Sequence, residues 1–133
     1  CFEKYIGLGK PAYSEKNELT AKEAVKAIRA AGGVAFLAHL NQTGYDLTQT
    51  EDLLTELKEA GLNGIEGYYP EYTEKHIADY RNLAQKLKLS LSGGSDFHGA
   101  MKPHITIGNG KGDLHIPYYV LDNIKEIKNS QNM

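Results

Sequence analysis

The chain has 133 residues, and its 15 Lys and Arg against 17 Asp and Glu give a formal net charge of −2. That balance excludes a broad basic field for duplex nucleic acid, so any nucleic-acid contact is local, and the length suits one α/β domain. A single cysteine, Cys1, excludes a disulfide framework and points to a reducing, cytoplasmic setting, while no apolar run is long enough for a membrane span.

The opening segment, residues 1–19, holds Gly7, Gly9 and Pro11 and predicts no definite element. From residue 20 to 133 three helix-then-strand units follow one another. Thr20 with Glu23 forms a capping box, Ala21, Ala24, Val25 and Ile28 share a helical face, and Gly32-Gly33 ends the helix. Val34 to Ala38 is then a short apolar run of the kind that suits a central parallel strand. The second unit is expected to begin near Thr48 or Thr50, to place Leu53, Leu54, Leu57 and Ala60 on one face, and to feed a strand from Asn63 to Tyr68. The third begins at Thr73, carries Ile77, Tyr80, Ala84 and Leu87 at helical spacing, and leads through Leu87, Leu89 and Leu91 into a strand ending at Gly93. Residues 99–116 read as a glycine-containing loop, and Pro117 opens a final helix bearing Val120, Leu121, Ile124 and Ile127. Helices alternating with about three strands imply an α/β fold with a parallel sheet.

Chemistry collects where the strands end. Gly93-Gly94-Ser95-Asp96-Phe97-His98-Gly99 puts a carboxylate and an imidazole two residues apart, so both converge at a strand's end, among glycines that let the backbone crowd a bound ion. A capping Asp beside a hydrogen-bonded loop His is the competing reading. His39 follows the first strand, and with Asp96 and His98 on one rim these three are candidate ligands for Mn, Fe or Zn. Glu66 is assigned to support behind them, and Lys102 to the phosphate of an anionic substrate, with a solvated lysine as the alternative. Tyr68, Tyr69 and Tyr72 could stack on a base, but packing is the favoured role. His76 is expected to point away from its helix's apolar face and be exposed, and His104 and His115 to be loop histidines without an assigned task. Gly108 to Gly112 lacks a Ser or Thr after Lys111 and reads as a flexible turn rather than a phosphate loop.

Taken together, Ala30-Ala31-Gly32-Gly33 with Leu37-Ala38-His39, Gly64-Ile65-Glu66 with Tyr68-Tyr69-Pro70, and the Gly93 to Gly99 motif with Lys102-Pro103 resemble the polymerase and histidinol phosphatase (PHP) superfamily of phosphoesterases. Ile116-Pro117-Tyr118 with Val120-Leu121 is similar to the ending of the branch of nucleoside 3′,5′-bisphosphate phosphatases and 5′-3′ exoribonucleases. The resemblance implies a distorted (β/α)7 barrel with up to three divalent metals at the strand C-termini, and hydrolysis of phosphate esters of nucleotides or short RNA by a metal-activated hydroxide. It matches His39, Asp96 and His98 to family metal ligands. Leu40 stands where the family usually has proline, and no His-x-His pair occurs anywhere in the chain.

With no His-x-His pair and an opening Cys in place of Met, the chain is expected to be the C-terminal part of such an enzyme, inactive alone, with its N-terminal half absent and its open sheet edge free to self-associate. A PHP nuclease or a histidinol phosphatase domain shares the same ligands and remains an alternative. A noncatalytic half-domain that binds a partner through that edge is another.

Overall fold

The computed structural model describes residues 2–14 and 18–131; Cys1, and with it the cysteine reading, lies outside them. Among the described residues three of the four α-helices begin on a capping box, in which the cap side chain accepts an orphan N–H and a side chain three residues on returns the bond. Thr20 and Glu23 start α1 (Ala21–Ala30), Asp46 and Gln49 start α2 (Leu47–Glu59), and Thr73 and His76 start α3 (Glu74–Lys86). Helix α2 therefore starts ahead of Thr48. Asp46 takes the cap, and the Thr50 hydroxyl is spent inside the helix on the Asp46 carbonyl at 2.7 Å. The final helix, α4 (Tyr119–Ser130), follows Pro117 as expected.

The strands β1 (Phe36–Leu37), β2 (Gly64–Tyr68) and β3 (Ser90–Gly93) form a parallel sheet in the order β1-β2-β3, interleaved with helices as the sequence predicts. The central strand is β2, whose five residues are all buried. Strand β1 lies at an edge of the described sheet and keeps only two residues of the Val34 to Ala38 run, which corrects the expected length of the first strand. The reason is local: the Asn63 side chain accepts the Ala35 N–H at 2.9 Å, and the Asn63 N–H donates to the Ala35 carbonyl at 2.9 Å. A side-chain clamp thus replaces the ladder there. The third strand is also shorter than its leucine alternation suggests, because Leu87 caps α3 and Lys88 turns through φ 51° before Ser90 joins the sheet.

Leu54, Leu57 and Ile65 form the centre of the core, with Leu40, Leu62 and Ala84 around them. Helix α3 lies against β2 and β3, α4 against β3, and α1 against α2. Because α1 rests on a helix rather than on the sheet, its buried face narrows to Val25, and Ile28 stays 43% exposed. In α4, Val120 is buried while Leu121 faces outward. Residues 99–116 are mostly irregular, with a short 3-10 turn at Gly99–Met101 and an isolated bridge from Thr106 to Gly110. The opening segment forms a π-helical turn at Phe2–Ile6. Among the described residues no helix is long and apolar enough to cross a membrane.

Gly64 lets β1 and β3 close on β2. A Cβ there would stand 2.3 Å from the Phe36 ring and 2.3 Å from the Ser90 carbonyl oxygen, and the latter is backbone that cannot step aside. Gly64→Ala is expected to destabilise the chain by about 1–3 kcal/mol, as overpacking does. Gly94→Ala, with nothing within 4 Å of its Cβ, should leave the urea midpoint nearly unmoved. Equal midpoints for the two variants would refute this account of the sheet.

Candidate metal centre

Two of the candidate residues sit in left-handed backbone: His39 has φ 53° and ψ 45°, and Asp96 has φ 53°. Such a conformation is uncommon for a side-chain-bearing residue and persists only where the surroundings hold it. At His39 the hold is visible. Its own N–H donates to Glu66 Oε2 at 3.0 Å, and the next N–H, of Leu40, donates to the Tyr72 hydroxyl at 3.2 Å. Glu66 comes from the middle of β2, just before an irregularity in which Glu66 pairs with Ser92 but Tyr68 pairs with Gly93. The extra residue bends the strand end, as bulges beside functional sites do, and carries Tyr69 over the rim.

The side chains meet there. His39 Nε2 lies 3.8 Å from Glu66 Oε2 and 3.9 Å from Asp96 Oδ1. Both separations are too long for hydrogen bonds. The Lys102 ammonium reaches Asp96 Oδ2 at 2.5 Å, and His98 Nδ1 lies 2.7 Å from the Asp96 carbonyl oxygen and 3.5 Å from Asp96 Oδ1. With Nδ1 donating to that carbonyl, the His98 lone pair is left on Nε2. The structure therefore brings together all five residues singled out at the strand ends: His39, Glu66, Asp96, His98 and Lys102.

Their charges are set differently. The Lys102 hydrogen bond holds the Asp96 carboxyl below its ordinary range, and Asp96 in turn raises Lys102. Burial pushes Glu66 the other way, upward, against the lowering effect of the His39 N–H. Among the described residues no lysine or arginine forms an ion pair with Glu66, and the titratable side chain across from it is His39 at 3.8 Å.

Tyrosines assigned to packing also serve the site. Tyr69 stacks on the His39 ring, centroids 4.7 Å apart and planes 28° from parallel, and its hydroxyl donates to Asp96 Oδ2 at 3.4 Å. Burial pushes the Tyr69 phenol up to about 12 and raises Tyr72 as well, so both remain protonated near neutrality. Tyr72 meets Tyr69, Tyr80 and His76 edge-on. His76 is accordingly not the exposed residue expected from its helical position: it is half-buried, stacked 5.5 Å from Tyr80, and its ring nitrogen accepts the Thr73 N–H. His104 is exposed, and His115 lines a cleft with Tyr68, Pro70 and Arg81. The Gly108 N–H donates to the Ser95 hydroxyl at 3.3 Å, so the glycine loop is tied down beside the Asp96 turn.

The donor chemistry fits a divalent ion in part. Two carboxylates flank an imidazole nitrogen at nearly the spacing of two ligands on one metal, about 3–4 Å for bonds of about 2.0–2.2 Å. Yet among the described residues no group of three His, Cys, Asp or Glu side chains is arranged to hold an ion by itself, and Lys102 occupies one Asp96 oxygen.

No family model matches the chain. It is 39% identical over 87 residues to the phosphoribosyl 1,2-cyclic phosphate 1,2-diphosphodiesterase of Eggerthella lenta, a match covering 64% of this chain and 31% of that protein. To the 3′,5′-nucleoside bisphosphate phosphatase of Chromobacterium violaceum it is 33% identical over 97 residues, covering 73% of this chain and 34% of the relative. A solved structure of an amidohydrolase from Chromobacterium violaceum, with sulfate bound and no metal, matches 98% of this chain and 43% of its own with a TM-score of 0.68 and 27% identity. A parallel sheet with carboxylates and imidazoles at its C-terminal rim, matched in sequence by a diesterase and a phosphatase, defines a phosphoesterase fold. The chain is thus similar to phosphoesterases of the kind its sequence motifs resemble, and it spans about a third of the length of the curated relatives it matches.

Tyr72→Phe tests the left-handed turn. Leu40 is 1% exposed, so its N–H would lose its partner without gaining water. The expected loss is about 1–3 kcal/mol, the penalty of an orphaned buried donor. Hydrogen exchange of the Leu40 amide should accelerate selectively. Unchanged exchange would mean that Tyr72 does not hold the turn.

Proposed function

We propose that this chain forms one side of the active site of a metal-dependent phosphoesterase acting on phosphate esters of nucleotides. In this reading His39, Asp96 and His98 are metal ligands, Glu66 backs them, Lys102 contacts the substrate phosphate, and the remaining ligands come from outside these residues. One observation carries it: His39 Nε2, free of hydrogen bonds among the described residues, faces Glu66 and Asp96 at 3.8 and 3.9 Å. Divalent ions of the Mn, Fe or Zn kind would supply a lowered pKa for water and neutralise phosphoryl charge.

The chain's own residues have distinct tasks. Lys102 keeps Asp96 ionised, and an ammonium with three donors can hold Asp96 while presenting another N–H to a phosphoryl oxygen. The His98 bond to the Asp96 carbonyl presents Nε2 for ligation in the manner of metal-binding histidines whose other nitrogen is anchored. Glu66 places a buried carboxylate where a cation would favour its ionised form, while its bond to the His39 amide keeps that imidazole in place. The phosphate esters named for both relatives, and a sulfate bound somewhere in the Chromobacterium structure, support an anionic substrate for this reading.

In the protein carrying the complete site, Asp96→Asn and His98→Ala should each lower phosphoesterase kcat/KM by about 100-fold or more, since even outer partners of a metal commonly cost about 10–100-fold. Lys102→Met should act chiefly by raising KM. A His98→Ala enzyme that hydrolysed a nucleoside bisphosphate at the wild-type rate under limiting metal would sink the ligand assignment.

The 133-residue chain by itself should show no metal-dependent turnover of the same substrate. Light scattering should find it self-associated, because the outer sides of β1 and β3 offer unpaired backbone groups. A monomer with metal-dependent activity would refute the incomplete-site reading.

A further inference from the structure

Tyr69 touches both halves of the site without being one of the candidate ligands. Its ring lies against the His39 imidazole at 4.7 Å, and its hydroxyl reaches Asp96 Oδ2 at 3.4 Å. The hydroxyl also accepts from Gln42 Nε2 at 3.4 Å, and Gln42 belongs to the short helical turn that directly follows His39. The phenol is therefore bonded to the segment after β1 and to the turn after β3 at once, while its own backbone belongs to the end of β2. Tyr69 is 3% exposed, and the ring of Tyr72 packs edge-on against it, so the phenol has little room to move.

The residues it joins need joining. His39 and Asp96 both have left-handed backbones, and no hydrogen bond links their side chains. Their Nε2 to Oδ1 separation of 3.9 Å is set by whatever holds each from behind. Glu66 holds the His39 amide and Lys102 holds Asp96 Oδ2, but neither bridges the two. Tyr69 does.

We propose that Tyr69 is a positioning residue that fixes the separation and orientation of His39 and Asp96, its ring acting on the imidazole and its hydroxyl on the carboxylate. This rests on the metal-ligand reading of those two residues. Tyr69→Phe then keeps the imidazole stack and frees the carboxylate, whereas Tyr69→Leu removes both constraints.

The test uses the protein carrying the complete site and Mn(II) alone as probe, with His39→Ala as reference and Tyr80→Phe as a packing control from the same aromatic cluster. Mn(II) affinity should fall by about 10-fold in Tyr69→Phe and towards 100-fold in Tyr69→Leu, the range found for groups that orient ligands. Substrate kcat should fall with KM little changed, and Tyr80→Phe should match wild type in both. By NMR, the His39 ring proton shifted by the Tyr69 ring current should keep its position in Tyr69→Phe and lose it in Tyr69→Leu. Wild-type Mn(II) affinity in Tyr69→Leu, with affinity lost in His39→Ala, would overturn the positioning role and leave the metal reading standing. Undiminished affinity in His39→Ala would remove the metal reading and this proposal with it. Should Tyr69→Leu fail to fold, Tyr69→Phe decides: Mn(II) affinity equal to wild type overturns the proposal.

Discussion

The hydrogen bond from the His39 amide to the Glu66 carboxylate is the contact on which the rim depends, because it resolves two unfavourable features with one interaction. A left-handed backbone at a residue with a side chain costs on the order of 1–3 kcal/mol. A carboxylate buried on a central strand is disfavoured as well, which is why burial raises the Glu66 pKa. A hydrogen bond to a charged group contributes about 1.5–3 kcal/mol, enough to offset the turn only while Glu66 is ionised. The geometry of His39 is thereby coupled to the charge on Glu66. A cation near that carboxylate would favour its ionised form.

Asp96 meets a similar backbone problem by a local route. Its charge is balanced by Lys102, six residues further on, through a short hydrogen bond within one loop. Glu66 has no such basic partner among the described residues. The two carboxylates facing His39 are consequently unlike in their need for positive charge, although they stand at nearly equal distances from Nε2. On the metal reading, the Glu66 side of the imidazole is where added positive charge gains most, while at Asp96 an arriving ion competes with the Lys102 ammonium for Oδ2.

What could be read in advance follows from the range of the interactions. The capping box at Thr20, the helix start at Thr73 and the helix-ending glycines are encoded within a few residues, and they appear where expected; the Asp96-x-His98 spacing is just as local, and there the His98 ring bonds the Asp96 carbonyl, as in the reading of a hydrogen-bonded loop histidine. The start of α2 at Asp46 was equally local, and its signal was Gln49 three residues on. Tyr69 and Tyr72 were harder, since a buried tyrosine has the same pattern whether its hydroxyl is idle or bonded to a residue about thirty positions away. The shortening of β1 belongs to that second kind too. Nothing near Val34 announces that the Asn63 side chain will take the ladder position at Ala35. His76 misled for a further reason: exposure was judged from its own helix, whereas the rings that cover it include Tyr72 from the preceding turn.

The sheet order explains why so few residues could be picked out by position along the chain and still meet in space. Consecutive strands are neighbours in β1-β2-β3, and all run the same way, so each strand's C-terminal end reaches the same rim. Glu66 is 27 residues beyond His39 in the chain, yet their side chains come within 4 Å because one helix and one strand separate them in sequence while adjacent strands join them in space. The chemistry at each strand end is then free to vary without disturbing its neighbours' pairing, since the ladder bonds lie below it. The bulge after Glu66 shows where that independence stops: shifting Tyr68 onto Gly93 brings its Cβ so close that a side chain at residue 93 would stand 2.5 Å from it. Glycine before the Asp96 turn is therefore a packing requirement of the strand that delivers Tyr69.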